Sequence, residues 1–280
     1  MPDLCLVGYT YRGYPMQYAL DRAQEFGYSA IELRDFQDIN LSTPAALARS
    51  LANAEPAARA HGLRIASVFY GPLPIPRAGD RAAEASAFAE AIGVLADHGV
   101  PILHTRLSLR GNANRELISA RASEEDYRLV RAALSSLLVV AEHHGVRIAL
   151  EAHMGTLHDS AASLLRVISG NDSPYLTAGL DFANLLIANP NEDLAALPQV
   201  FTGRIGYVHL KNVKLFGQGY DWNLPLRWGD INYHRVLSAL KQAGYQGPLA
   251  VEYCGSGDPD VFARDDADYL RELAQRLSLP

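Results

Sequence analysis

The stretch LLVVAEHHGVRIALE, residues 137–151, carries the chain's repeating unit: the end of an apolar helix, a glycine, then a short β-branched run that closes on a carboxylate. The same order returns as ALDRAQEFG-YSAIEL across Gly27, ANAEPAARAHG-LRIASVF across Gly62, EAIGVLADHG-VPILHT across Gly99 and LSALKQAG-YQGPLAVE across Gly244. Each glycine suits the left-handed position that ends a helix, where a Cβ would clash. Each short run is apolar on both sides of the chain, as a buried parallel strand is.

Two further strands, YLTAGLD near 175–181 and RIGYVHLK near 204–211, follow Gly145, and LCLVGY opens the chain. Eight strands alternating with helices predict one α/β domain over residues 1–280, a (β/α)8 TIM barrel, and 280 residues match the roughly 250 such a barrel needs. An open doubly wound sheet would carry GxGxxG after its first strand, and GYTYRGYP lacks that spacing. Thr43 before Pro44, and Ser123 three residues before Asp126, mark two helix starts.

Hydrophobic residues at 49% and charged residues at 20% describe an ordinary globular chain. A net charge of -6 argues against a nucleic-acid partner, which needs a surplus of Lys and Arg. The opening residues lack the basic, then apolar, pattern of a secretory leader, and no run is long enough to span a membrane. Cys5 and Cys254 make no disulfide framework; buried thiols in a reducing cytoplasm are expected.

In such a barrel the carboxyl ends of the strands surround one cup. Glu151 ends RIALE, Asp181 ends AGLD, His209 lies in YVHLK and Glu252 ends LAVE, so all four are expected there. Three carboxylates converging on a buried site repel one another unless a cation sits between them. Three oxygen donors and one imidazole suit one divalent ion, manganese foremost, with magnesium, cobalt or zinc also compatible.

The segments EAHMGTLHDS, LDFANLL, VHLKN and GDINYHRVLSALKQAGYQGPLAVE resemble the xylose-isomerase-like barrel superfamily of sugar phosphate isomerases and epimerases, most strongly over residues 146–254. The resemblance implies that Glu151, Asp181, His209 and Glu252 are the metal ligands. The superfamily also contains ketose 3-epimerases, inosose and dehydroshikimate dehydratases, and endonuclease IV. The endonuclease branch is excluded, because Asn184 and Asn232 stand where its extra histidines would be, and Phe69 and Tyr70 where a third is needed.

What remains is proton chemistry beside a carbonyl. The expected activity is a metal-dependent isomerase or epimerase of a carbohydrate or cyclitol, with Glu151 and Glu252 moving protons on opposite faces. A lyase or dehydratase acting on a keto-sugar or keto-inositol is the alternative, with His153 or His104 as acid; a non-catalytic sugar-binding subunit is a third. His104, Lys211, Arg227, Trp222 and Glu32 are the expected substrate contacts. Residues 213–230, rich in aromatics, read as a lid or as a surface for another subunit, either a second copy or a partner chain. Tyr9, Tyr11 and Tyr14 are further candidates to line the cup. His61, His98, His143 and His144 precede helix-ending glycines and are expected to serve the helix ends.

Overall fold

The computed structural model describes residues 3–75, 82–109, 117–217 and 219–279. Its strands are β1 (Leu4–Val7), β2 (Ala30–Leu33), β3 (Arg64–Pro74), β4 (Ile102–Ser108), β5 (Arg147–Glu151), β6 (Leu176–Asp181), β7 (Ile205–Leu210), β8 (Lys214–Phe216), β9 (Gly219–Asp221) and β10 (Leu249–Val251). Eight of them close a parallel barrel in the order β1-β10-β7-β6-β5-β4-β3-β2, while β8 and β9 form a separate antiparallel hairpin. The helices are α1 (Met16–Glu25), α2 (Pro44–Ala60), α3 (Ala82–Asp97), α4 (Glu124–His144), α5 (Ala161–Ser169), α6 (Phe182–Ala188), α7 (Leu197–Val200), α8 (Tyr233–Gln242) and α9 (Pro259–Leu277). No helix among the described residues is long and apolar enough to cross a membrane.

The punctuation read from the sequence is structural. Gly27, Gly62, Gly99, Gly145 and Gly244 have φ between 68° and 75°. The Thr43 hydroxyl accepts the Ala46 N–H at 3.2 Å, and Ser123 with Asp126 completes a capping box on α4.

Two cores follow from strand alternation. Outward residues such as Leu4, Leu6, Ile31, Leu33, Val68, Leu103 and Leu150 pack against the helices. Inward residues form a smaller cluster of Cys5, Val7, Ala30, Ala66, Ile102, Ala149, Tyr207 and Ala250. Small side chains dominate there because opposing strands approach across the barrel, and Tyr207 fills what they leave. Register shifts interrupt the pairing at Ile31/Glu32, Phe69/Pro72 and Ala178/Gly179, next to the polar residues at the barrel's mouth.

Candidate active site

A step of two residues keeps a side chain on the same side of a strand, so each inward face rises in tiers. On β5 the series is Ala149, Glu151, His153; on β7 it is Tyr207, His209, Lys211; on β10 it is Ala250, Glu252, Cys254. On β2 it is Ala30, Glu32, Arg34, and on β4 it is Ile102, His104, Arg106. The first tier is the apolar barrel interior. The second is a buried polar layer of Glu32, His104, Glu151, His209 and Glu252, joined by Asp181 of β6. The third, Arg34, Arg106, His153, Lys211 and Cys254, lines a cavity of about 210 Å³ together with Tyr9, Phe69, Met154, Asn184 and Trp222; Glu151 and Glu252 also reach it.

His209 is the hub of the second tier. Its Nδ1 stands 3.5 Å from Glu151 Oε1, 3.7 Å from Glu252 Oε2 and 3.9 Å from Asp181 Oδ2. That buried nitrogen has no hydrogen-bond partner. Leaving such an atom unsatisfied costs about 1–3 kcal/mol, and the three surrounding carboxylates repel one another. One divalent cation would answer both problems: Glu151, Asp181 and His209 bring donor atoms within 4.8 Å of one another, and Glu252 Oε2 stands 3.7 Å from His209 Nδ1.

The other side of the His209 ring is anchored. Nε2 lies 3.2 Å from Glu32 Oε2, which also accepts from His104 Nδ1 and from Ser67 Oγ, both at 3.0 Å. A carboxylate behind a ligand histidine holds the ring and its tautomer, here aiming Nδ1 at the acids. Asp181 caps α6: its Oδ1 accepts the Asn184 N–H at 2.9 Å and its Oδ2 the Asn184 side-chain amide at 2.8 Å. Lys211 Nζ spans Asp181 Oδ2 at 2.8 Å and Glu252 Oε2 at 2.7 Å. Arg34 approaches Glu252 Oε1 at 3.5 Å and Glu32 Oε1 at 3.6 Å.

These contacts set the charges. Burial raises the pKa of each carboxylate. For Glu252, Lys211 and His209 outweigh burial and hold it well below the ordinary range. His209 does the same for Glu151, whereas burial prevails at Asp181 and raises it. Burial also disfavours a charge on Lys211, but Asp181 and Glu252 reverse that and keep it protonated. His153 donates from Nδ1 to the Met154 carbonyl at 2.8 Å and accepts at Nε2 from Arg106 Nη1, also at 2.8 Å. Burial lowers its pKa, so the ring is neutral.

Three expected substrate contacts lie elsewhere. Glu32 and His104 sit one tier below the cavity, fully buried and bonded to each other, so neither lines it nor faces a leaving group. Arg227 belongs to a 3-10 turn (Leu226–Trp228), where its guanidinium meets Asp265 at 3.0 Å and lies over the Tyr269 ring, both on α9. Lys211 and Trp222 do line the cavity. Of the aromatics in 213–230, Trp222 alone lines it; Phe216 and Trp228 are exposed, and Tyr220 packs beside Trp222. Tyr9 lines the cavity, whereas Tyr11 is buried with its hydroxyl on Asp260 and Tyr14 stacks on Tyr18. His158 is a buried strut accepting the Leu107 N–H at 2.9 Å, its pKa pushed down to about 3 by burial. Arg34, Arg106 and Asn184 are site residues the sequence reading missed, although the two-residue step applied to Glu32 and His104 reaches both arginines.

A second cavity, about 320 Å³, opens at the amino-terminal ends of the strands beside Arg147 and Tyr245, with no carboxylate or histidine lining it among the described residues.

Residues 20–273 match the family described as xylose isomerase-like TIM barrel. L-ribulose-5-phosphate 3-epimerase UlaE of Escherichia coli is 27% identical over 140 residues, which is 50% of this chain and 48% of that enzyme. The chain thus matches less than half the length of that curated relative. Among solved structures, an L-ribulose 3-epimerase superposes with a TM-score of 0.77 at 19% identity, covering 99% of this chain and 96% of that one. The probable 3-DHS dehydratase AsbF of Bacillus anthracis superposes with a TM-score of 0.76 at 18% identity, covering 97% and 99%. At such identities the structural likeness establishes the fold.

Proposed function

Because the chain belongs to the xylose isomerase-like TIM barrel family, we propose that it is a divalent-metal-dependent isomerase or epimerase of a small carbohydrate or cyclitol. The observation that carries this reading is the unpartnered His209 Nδ1 facing three carboxylates on the floor of a cavity. Glu151, Asp181, His209 and Glu252 would hold the ion, and manganese suits their donor set. When bound, the ion supplies Lewis acidity that acidifies the C–H beside a carbonyl.

The side chains divide the remaining work. Glu151 reaches the cavity with no lysine or arginine paired to it among the described residues and stays ionised, which makes it the base that takes the proton from carbon. Glu252 faces the cavity from the end of β10, three strands away around the barrel, and is placed to return a proton to the other face. Positioned acid–base groups of this kind contribute roughly 10²–10⁴ in rate. Trp222 and Phe69 wall the cavity.

One observation favours a lyase as second reading: Lys211 is a protonated amine at the cavity wall, able to protonate a departing hydroxyl. Manganese-loaded protein incubated with a panel of ketoses and keto-cyclitols in deuterated water separates the readings. Deuterium gained at the carbon beside the carbonyl, without loss of water, is expected. Formation of an absorbing enone moves the protein to the lyases, and binding without exchange or elimination makes it a sugar-binding subunit. Elemental analysis showing no ion under metal-replete conditions would sink both catalytic readings.

A further inference from the structure

Three cations line the cavity, and they differ in how their charge is met. Lys211 is shared between Asp181 and Glu252. Arg34 faces Glu32, Glu252 and, at 2.7 Å, Asp35. Arg106 meets no carboxylate among the described residues; its partner is the His153 imidazole at 2.8 Å. His153 is itself pinned, because its Nδ1–H is spent on the Met154 carbonyl and only the Nε2 lone pair remains for Arg106. A neutral acceptor therefore fixes the guanidinium without cancelling its charge.

Holding a part-buried guanidinium with no counter-ion is costly unless an anion visits it. The guanidinium fork matches carboxylate and phosphate oxygens, and a flat, pinned fork loses little entropy on binding one. Arg106 lies on β4 and His153 two residues past the end of the neighbouring β5, so the anion site adjoins Glu151, one tier above the floor. We propose that the substrate is anionic: a hydroxy-carbonyl compound whose carboxylate or phosphate pairs with Arg106 while its reacting carbon lies over Glu151. This rests on the catalytic reading above and adds the substrate class to it. His153 becomes a positioning residue for Arg106.

The test uses full-length, manganese-loaded protein, with metal content measured in every sample. Titration calorimetry compares D-ribulose, D-ribonate and D-ribulose 5-phosphate, which differ in whether and how they carry an anion. At least one anion should bind tenfold or more tightly than the neutral ketose, and which one does so identifies the group as carboxylate or phosphate. Arg106→Met and Arg106→Gln should each erase that advantage, leaving the anion bound no more than threefold tighter than the neutral ketose. Equal affinity for all three probes, no binding of any, or an advantage that survives in both variants overturns the proposal. A full metal complement in those samples leaves the catalytic reading standing; absence of metal removes both.

Discussion

Replacing Lys211 by methionine tests whether the ammonium and a divalent ion compete for the same oxygens. Nζ lies 2.8 Å from Asp181 Oδ2 and 2.7 Å from Glu252 Oε2. Those two atoms are also the ones 3.9 and 3.7 Å from His209 Nδ1. An ion held there must take both oxygens from the ammonium. Lys211→Met keeps the aliphatic stem and deletes the charge, which leaves two buried carboxylates beside Glu151 without their lysine. Uncompensating a buried ion pair costs about 3–5 kcal/mol. At about 2–4 °C per kcal/mol for a chain approaching this size, the melting temperature of chelator-treated protein should fall by roughly 6–20 °C. Manganese should restore it, because the ion replaces the lost charge. With its competitor gone, the ion should bind at least about tenfold more tightly, and roughly a thousandfold if the whole penalty is recovered. Differential scanning fluorimetry with and without chelator, and calorimetric manganese titration, read both effects independently of turnover. An unchanged melting temperature in chelator, or manganese binding no tighter than in the parent protein, refutes the competition.

Other perturbations reach different parts of the site. Glu151→Gln and Glu252→Gln should each lower deuterium exchange into a turned-over ketose by about 10²–10⁴; full exchange in both variants removes the two-carboxylate mechanism. Glu32→Ala deletes the anchor behind His209 and should weaken manganese binding by about 10–100-fold; an unchanged titration would show that the ring needs no support. Asp266, buried on α9 and accepting the Leu226 N–H at 2.6 Å, has a pKa pushed up to about 8 by burial. Between about pH 4, its ordinary value, and pH 8 the folded protein keeps a proton that the unfolded chain has lost, so this group's stabilising contribution declines as pH rises. Asp266→Asn should therefore match the parent near pH 4 and exceed it increasingly up to pH 8, by at most about 1.4 kcal/mol per pH unit. Parallel melting curves across that range would contradict this.

Much of the cup was legible because each expected ligand ends or lies in an apolar run: RIALE, AGLD, YVHLK and LAVE place Glu151, Asp181, His209 and Glu252 towards the carboxyl ends of their strands. The tier above them was half legible. His153 and Lys211, two residues beyond Glu151 and His209, were expected at the site; the same step from Glu32 and His104 leads to Arg34 and Arg106, which were not. The chemistry of each tier was harder to read. Glu32 and His104 look like substrate contacts in one dimension, yet they lie a residue pair too deep. Arg227 sits among aromatics in a long loop, but the 3-10 turn that carries it packs against α9 and takes its charge to Asp265.

By itself the sequence determined the architecture, since helix-ending glycines, apolar strand runs and their number are local properties that need no partner to be read. It also determined which residue types stand at the strand ends. Only the tertiary structure decided which of them meet, because burial depth, hydrogen-bond partners and charge pairing depend on neighbours remote in the chain. Lys211 between Asp181 and Glu252, His209 backed by Glu32, and Arg106 pinned by His153 are relations between strands, and closure of the barrel is what creates them.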